Sequence, residues 1–220
     1  MIKIYYTLMK IRKSNNNFDI KITVLVLLIT IASIKYLDKE IAINVMLFLK
    51  YIHPLHKVTE NIPDFLPYLV AAGTIIMWAL YFYRLHKNLI DVKTKFLQVA
   101  ATALPSAYFI KTFLKFIFGR TDPRIWLTAN KPLVFHWFDK IESGSFPSGH
   151  MTVFAAFGTA ILFYFPQYRK YVLALLIVLG AALIGTDYHF LSDVIAGAYL
   201  GYITTFLIRL LYRKADKTKL

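Results

Sequence analysis

Apolar runs of near-membrane length recur along this chain, and they restrict its folding more than any other feature. A helix crossing the hydrocarbon core of a bilayer needs about 20 mostly apolar residues, because its backbone polar groups must be satisfied within the segment itself. Six stretches approach that length: 20–36, 65–83, 96–118, 149–165, 171–186 and 194–212. Across 220 residues, a hydrophobic content of 58% and a mean hydropathy of +0.53 exceed what a soluble domain of this size carries. The expected fold is therefore all-α, an integral membrane bundle of six transmembrane helices. With no internal repeat or linker composition, residues 1–220 are expected to form one membrane-embedded domain.

Two segments qualify this outline. The first run carries Lys21 and Lys35 near its ends, where long cationic side chains can reach the interface, and no small-residue cleavage pattern follows it. It is expected to be a retained helix. Residues 38–58 have charged ends and an apolar middle too short to span, which suggests an interfacial amphipathic helix between the first two crossings.

The formal charge of +14 is distributed in a way that orients the bundle. Lys3, Lys10, Arg12 and Lys13 precede the first helix; Arg84, Lys87, Lys93 and Lys95 surround the turn after the second. Arg169 and Lys170 follow the fourth, and Arg213, Lys214, Lys217 and Lys219 close the chain. In a six-helix serpentine all four groups fall on one side, which the positive-inside rule makes cytoplasmic, with both termini there. Such clusters face anionic lipid headgroups, and no basic stripe interleaved with aromatics indicates nucleic acid. Absence of cysteine excludes disulfides and thiolate metal sites.

The polar residues capable of chemistry gather toward the opposite face. In "KFIFGRTDPR", Lys115, Arg120, Asp122 and Arg124 follow the third helix outward, and fixed cations of this kind suit a phosphate. In "SFPSGHM", Pro147 and Ser148 start and cap a helix, leaving backbone N–H groups around Gly149 and His150 free to hold an anion. His150 could then donate a proton to a departing oxygen. In "HFLSDV", His189 and Asp193 lie four apart, on one helical face if the helix has begun there. A carboxylate on one ring nitrogen leaves the other free to attack or to accept a proton; Asp193 or Ser192 could equally cap the helix. Together these clusters suit phosphoryl transfer through a phosphohistidine, with no metal or cofactor called for.

Here the chain resembles the type 2 phosphatidic acid phosphatase superfamily, whose motifs are KxxxxxxRP, PSGH and SRxxxxxHxxxD. PSGH at 147–150 is complete, and "HFLSD" followed by "VIAG" matches the third. The resemblance implies His189 as nucleophile, Asp193 as its orienting carboxylate and His150 as general acid. Ser148 and Gly149 become phosphate ligands, and Lys115 the lysine of the first motif. Two arginines of the pattern are displaced: their positions hold Asp122 and Leu183. Arg120 is the first candidate to supply the missing cation and Arg124 the second; no replacement at Leu183 is evident unless the amphipathic segment supplies one.

The expected activity is removal of a phosphate from a lipid monophosphate or diphosphate at the non-cytoplasmic leaflet. Isoprenoid diphosphates, glycerophospholipid phosphates and lipid A are all open as substrates, and in a Gram-negative inner membrane that face is periplasmic. The alternatives are a lipid phosphotransferase of the same fold and a non-catalytic lipid-binding protein. Oligomeric state is not indicated. His53 and His56 lack a third ligand and suit an interfacial loop, while His136, Trp137 and Phe138 suit an aromatic rim. Asp139 and Glu142 share that loop, and Pro105 is expected to kink the third helix.

Overall fold

The computed structural model describes residues 20–51, 65–129, 132–138 and 144–218. His53, His56, Asp139, Glu142 and the basic residues Lys3 to Lys13 lie outside them. Regular structure among the described residues is helical apart from one isolated antiparallel bridge, Arg120 to Phe135.

Helix α1, Ile20–Ala32, passes through a π turn at Ser33–Leu37 directly into α2, Asp38–Tyr51. The segment after the first run thus continues the first helix instead of forming a separate interfacial element. Its buried residues Asp38, Ala42 and Leu49 are spaced at helical intervals, and α2 packs on other helices of the protein. The amphipathic pattern is real, and a protein surface covers at least part of its buried stripe.

Helix α3, Leu66–His86, has proline in its first turn, where the missing N–H costs nothing. Arg84 near its end donates to Asp91 at 2.7 Å, and Asp91 accepts the Thr94 N–H at 3.0 Å as N-cap of α4, Val92–Phe118. This cap explains why α4 begins before the apolar run does. The helix continues through Pro105 as one element and stops at Gly119, whose φ of 49° and ψ of 39° form a left-handed C-cap. A short α5, Pro123–Thr128, follows. Helix α6, Gly149–Tyr164, leads through a 3₁₀ turn at Pro166–Tyr168 into α7, Arg169–Gly185, and α8, Leu191–Thr218, ends the described chain.

Among the described residues, four spans are long and apolar enough to cross a membrane: Ile20–Tyr51, Leu66–His86, Pro166–Gly185 and Leu191–Asp216. The chain is an integral membrane protein in which two of the six expected crossings depart from that simple pattern. Helix α6 is apolar but has only 16 residues, about 24 Å at 1.5 Å per residue. Helix α4 is long but central, packed on α3, α6 and α8, and so it tolerates Gln98, Thr102 and Lys111 among its apolar residues. Outward-facing Leu25, Leu28, Ile75, Leu175 and Ile177 are exposed, as a lipid-facing surface requires.

The pairing of α6 with α8 sets the geometry of everything at the site. A Cβ on Gly197 would stand 2.7 Å from the Ser148 carbonyl oxygen, and one on Gly201 would lie 2.7 Å from the Ala156 nitrogen. Glycines four apart thus let the two backbones touch, the close approach by which membrane helices gain dispersion contacts. At the far end, Lys95 meets Asp216 at 3.1 Å, placing the start of α4 beside the end of α8 and the basic turn away from the PSGH segment.

Candidate active site

Ser148 is the N-cap of α6: its Oγ accepts the Met151 N–H at 3.5 Å, and its carbonyl accepts the Thr152 N–H and hydroxyl at 3.0 and 2.7 Å. Gly149 and His150 are then the first two helical residues, whose N–H groups lack intrahelical acceptors. The Ser148 N–H donates to the Asp193 carbonyl at 3.0 Å. The PSGH segment and the segment bearing His189 are therefore joined by a direct backbone bond.

Helix α8 starts at Leu191, so His189 lies just before it and the expected shared helical face does not form. The pair is brought together by a cap instead. Asp193, in the first turn, accepts the Phe190 N–H through Oδ2 at 3.0 Å, reaching back as a capping-box acid does. The same Oδ2 lies 3.6 Å from Nδ1 of the buried His189, just beyond hydrogen-bond distance. Asp193 thus caps the helix and faces the imidazole at once. The backbone N–H groups of Tyr188 and His189 both bond to the Leu183 carbonyl, at 3.0 and 3.1 Å, which fixes the loop carrying the histidine.

Arg120 is 1% exposed, with Nη1 donating to Asp193 Oδ1 at 2.6 Å and Ser192 Oγ at 2.7 Å. Its Nη2 donates to Asp38 Oδ2 at 2.7 Å, and the guanidinium lies 4.2 Å from the centre of the Phe190 ring. This geometry fits an arginine that holds a carboxylate better than one offered to a phosphate. Arg124 is also engaged: Nε and Nη2 bond to the Thr186 carbonyl at 3.2 and 2.7 Å, and the group stacks 4.0 Å over Tyr188. Asp122, where the family motif has arginine, caps α5 by accepting the Arg124 N–H at 2.9 Å. Burial pushes its carboxyl above the ordinary range despite the nearby His189 and Arg124. Leu183, at the other displaced arginine, packs with Met151, Ala155 and Val194. From the described part of the amphipathic segment, the residue that reaches this region is Asp38, which brings the opposite charge.

Two residues not singled out from sequence enter the site. Asp38 is one. The other is Lys111, 7% exposed, whose Nζ would lie 3.3 Å from a Cβ on Gly149 and stands 4.2 Å from the centre of the Tyr108 ring. Lys115, one turn on, is half-buried, with its own carbonyl and Cβ beside Gly144. Lys111 therefore adjoins the first helical residue of the PSGH segment. The sequence did hold a signal for it: Leu97, Ala100, Leu104, Ala107 and Lys111 continue one buried stripe.

An aromatic rim borders this region. Phe146, beside cis Pro147, lies 4.9 Å from Phe118 between ring centroids, and Phe118 lies 5.2 Å from Trp137. Trp137 and Phe138 are largely exposed, in keeping with a lipid-facing edge.

Comparison with known proteins places these features among relatives. The PAP2 superfamily profile matches residues 96–217. The chain is 40% identical to a lipid A 1-phosphatase of Rhizobium etli over 70 residues, which cover 32% of this chain and 30% of that protein. It is 46% identical over 57 residues to a lipid A 1-phosphatase of Rhizobium johnstonii, covering 26% and 23%. The matched stretch is thus less than a third of either relative's length. A transmembrane PAP2-type phosphatidylglycerolphosphate phosphatase from Bacillus subtilis aligns with a TM-score of 0.45 at 20% identity, covering 89% of this chain and 96% of that one.

Proposed function

The chain belongs to the PAP2 superfamily, and on that premise we propose that it hydrolyses a phosphate from a membrane lipid through a phosphohistidine on His189. The observation that carries this reading is the Ser148 N–H to Asp193 carbonyl bond at 3.0 Å, which holds an anion-binding helix start beside the His189–Asp193 pair.

With Nδ1 of His189 turned to Asp193, Nε2 is the nitrogen left to attack phosphorus. A nitrogen–phosphorus bond forms as the bond to the lipid oxygen breaks, and His150 gives that oxygen a proton. Water then attacks phosphorus and passes a proton to His150; the nitrogen–phosphorus bond breaks and inorganic phosphate leaves. The N–H groups of Gly149 and His150 and the ammonium of Lys111 stabilise the equatorial oxygens, with Ser148 closing the cradle. Lys115 and Arg124 stand further out in this reading, and Arg120 supports Asp193.

A lipid substrate fits the depth and border of the site. Helix α6, at about 24 Å, is shorter than the roughly 30 Å hydrocarbon core, so its start can lie below the opposite surface. The aromatic rim offers an acyl chain a place to rest, and the basic turn at the far end supports a site on the non-cytoplasmic face. Lipid A bearing a 1-phosphate is the first substrate indicated, through the Rhizobium relatives.

Purified protein in detergent, given lipid A 1-phosphate, an isoprenoid diphosphate and phosphatidylglycerophosphate, tests the reading by phosphate release with and without chelator. Chelator-resistant release from at least one lipid is expected. No release from any of them would contradict a lipid phosphatase, and loss of release with chelator would contradict the metal-free mechanism.

A further inference from the structure

Asp38 lies far from the three motifs and outside the matched residues 96–217, yet it is fully buried against them. Its Oδ1 accepts the Ser192 N–H at 3.0 Å, and its Oδ2 accepts Arg120 Nη2 at 2.7 Å and the Ser192 hydroxyl. One guanidinium therefore bridges two carboxylates, Asp38 from α2 and Asp193 from α8. We infer that Asp38 is a positioning residue of the catalytic apparatus, acting through Arg120 and Ser192 to set the place and effective charge of Asp193. The inference rests on His189 being the nucleophile.

Charge balance gives the arrangement its use. Arg120 alone would neutralise Asp193 and leave little negative charge facing the imidazole. With Asp38 competing for the same guanidinium, two carboxylates share one fixed cation, and one unit of negative charge remains. The group that completes the set is His189 when it carries positive charge, which it acquires as Nε2 bonds to phosphorus. Support that strengthens as charge develops lowers the barrier, whereas equal support before and during reaction does not. Buried charges respond strongly to such a change in partners, because solvent screens them little.

The backbone shows how a first-helix residue reaches this position. In a regular helix, residues five apart point about 140° away from each other at 100° per residue. Ser33 and Asp38 are five apart and both buried, at 1% and 0% exposure. The π turn at Ser33–Leu37 reconciles them, with the Asp38 N–H bonded to the Ser33 carbonyl, and this turn packs against α8. A π turn re-phases every residue beyond it, and such turns are often found at functional sites.

The test uses full-length protein on whichever lipid proves a substrate, comparing wild type, Asp38→Asn, Arg120→Gln, the double variant and His189→Ala. Asn keeps the size of Asp and removes the charge. Asp38→Asn is expected to lower kcat about tenfold or more, with KM within about threefold, in protein that remains folded and monodisperse. The double variant is expected to match Arg120→Gln, since Asp38 acts through that side chain. Normal kcat in Asp38→Asn would overturn the inference, as would a further tenfold loss in the double variant. Should Asp38→Asn fail to fold, the double variant, which loses one charge of each sign, decides by the same comparison. Turnover by folded His189→Ala would defeat the underlying reading instead; an inactive His189→Ala beside a normal Asp38→Asn would defeat this inference alone.

Discussion

Lys111 and Lys115 differ by one turn of α4, and their surroundings differ. The Lys111 ammonium adjoins Gly149 at the start of α6, whereas the main chain and Cβ of Lys115 border Gly144. Lys111→Ala should lower kcat/KM about a hundredfold, the scale for loss of one preorganised donor to a developing anion, and Lys115→Ala only a fewfold. Steady-state phosphate release measures both; the reverse order would return the phosphate-binding role to Lys115. The two segments joined by the Ser148 N–H to Asp193 carbonyl bond were legible in the sequence because each is a short contiguous motif. Asp38 and Lys111 carry no such local signature. Their positions depend on how a π turn phases one helix and where a buried stripe ends on another, and both are settled by packing between distant segments.

At the scale of elements, the short link between α7 and α8 is a point of stored electrostatic cost. Asp187 sits there at φ 51°, with burial pushing its carboxyl up to about 7; Asp122 adds to the rise and Arg124 opposes it. A carboxyl raised in the folded state binds more protons there than in the unfolded chain. Its contribution to stability is therefore fully present below the unfolded value of about 4 and lost as pH rises through about 7. Asp187→Asn keeps a residue that accepts a left-handed backbone and removes the ionisation. Its melting temperature should match wild type near pH 4 and exceed it by several degrees at pH 8; a difference independent of pH would contradict the assignment. The extents of α3, α6 and α7 were legible to within three residues at each end, since apolar runs and their proline and basic flanks mark them. The continuation of α1 into α2 was not, because the charged ends of 38–58 have the pattern of an interfacial helix, and burial of Asp38 depends on Arg120.

For the whole molecule, antiparallel helices carry the basic turn and the proposed catalytic cluster to opposite ends, and the glycine contact of α6 with α8 fixes the cluster's two halves. On the proposed function, an apolar exterior and a short α6 would let that cluster meet a lipid phosphate near the bilayer surface. The central claim is that this phosphate passes through His189. Brief reaction with a lipid labelled on its terminal phosphate, quenched in alkali, tests this most directly. Label should remain on wild-type protein, be released by mild acid and map to His189, while a folded His189→Ala variant carries no label and releases no phosphate. Turnover by that variant, or label mapped to another residue, would contradict the account.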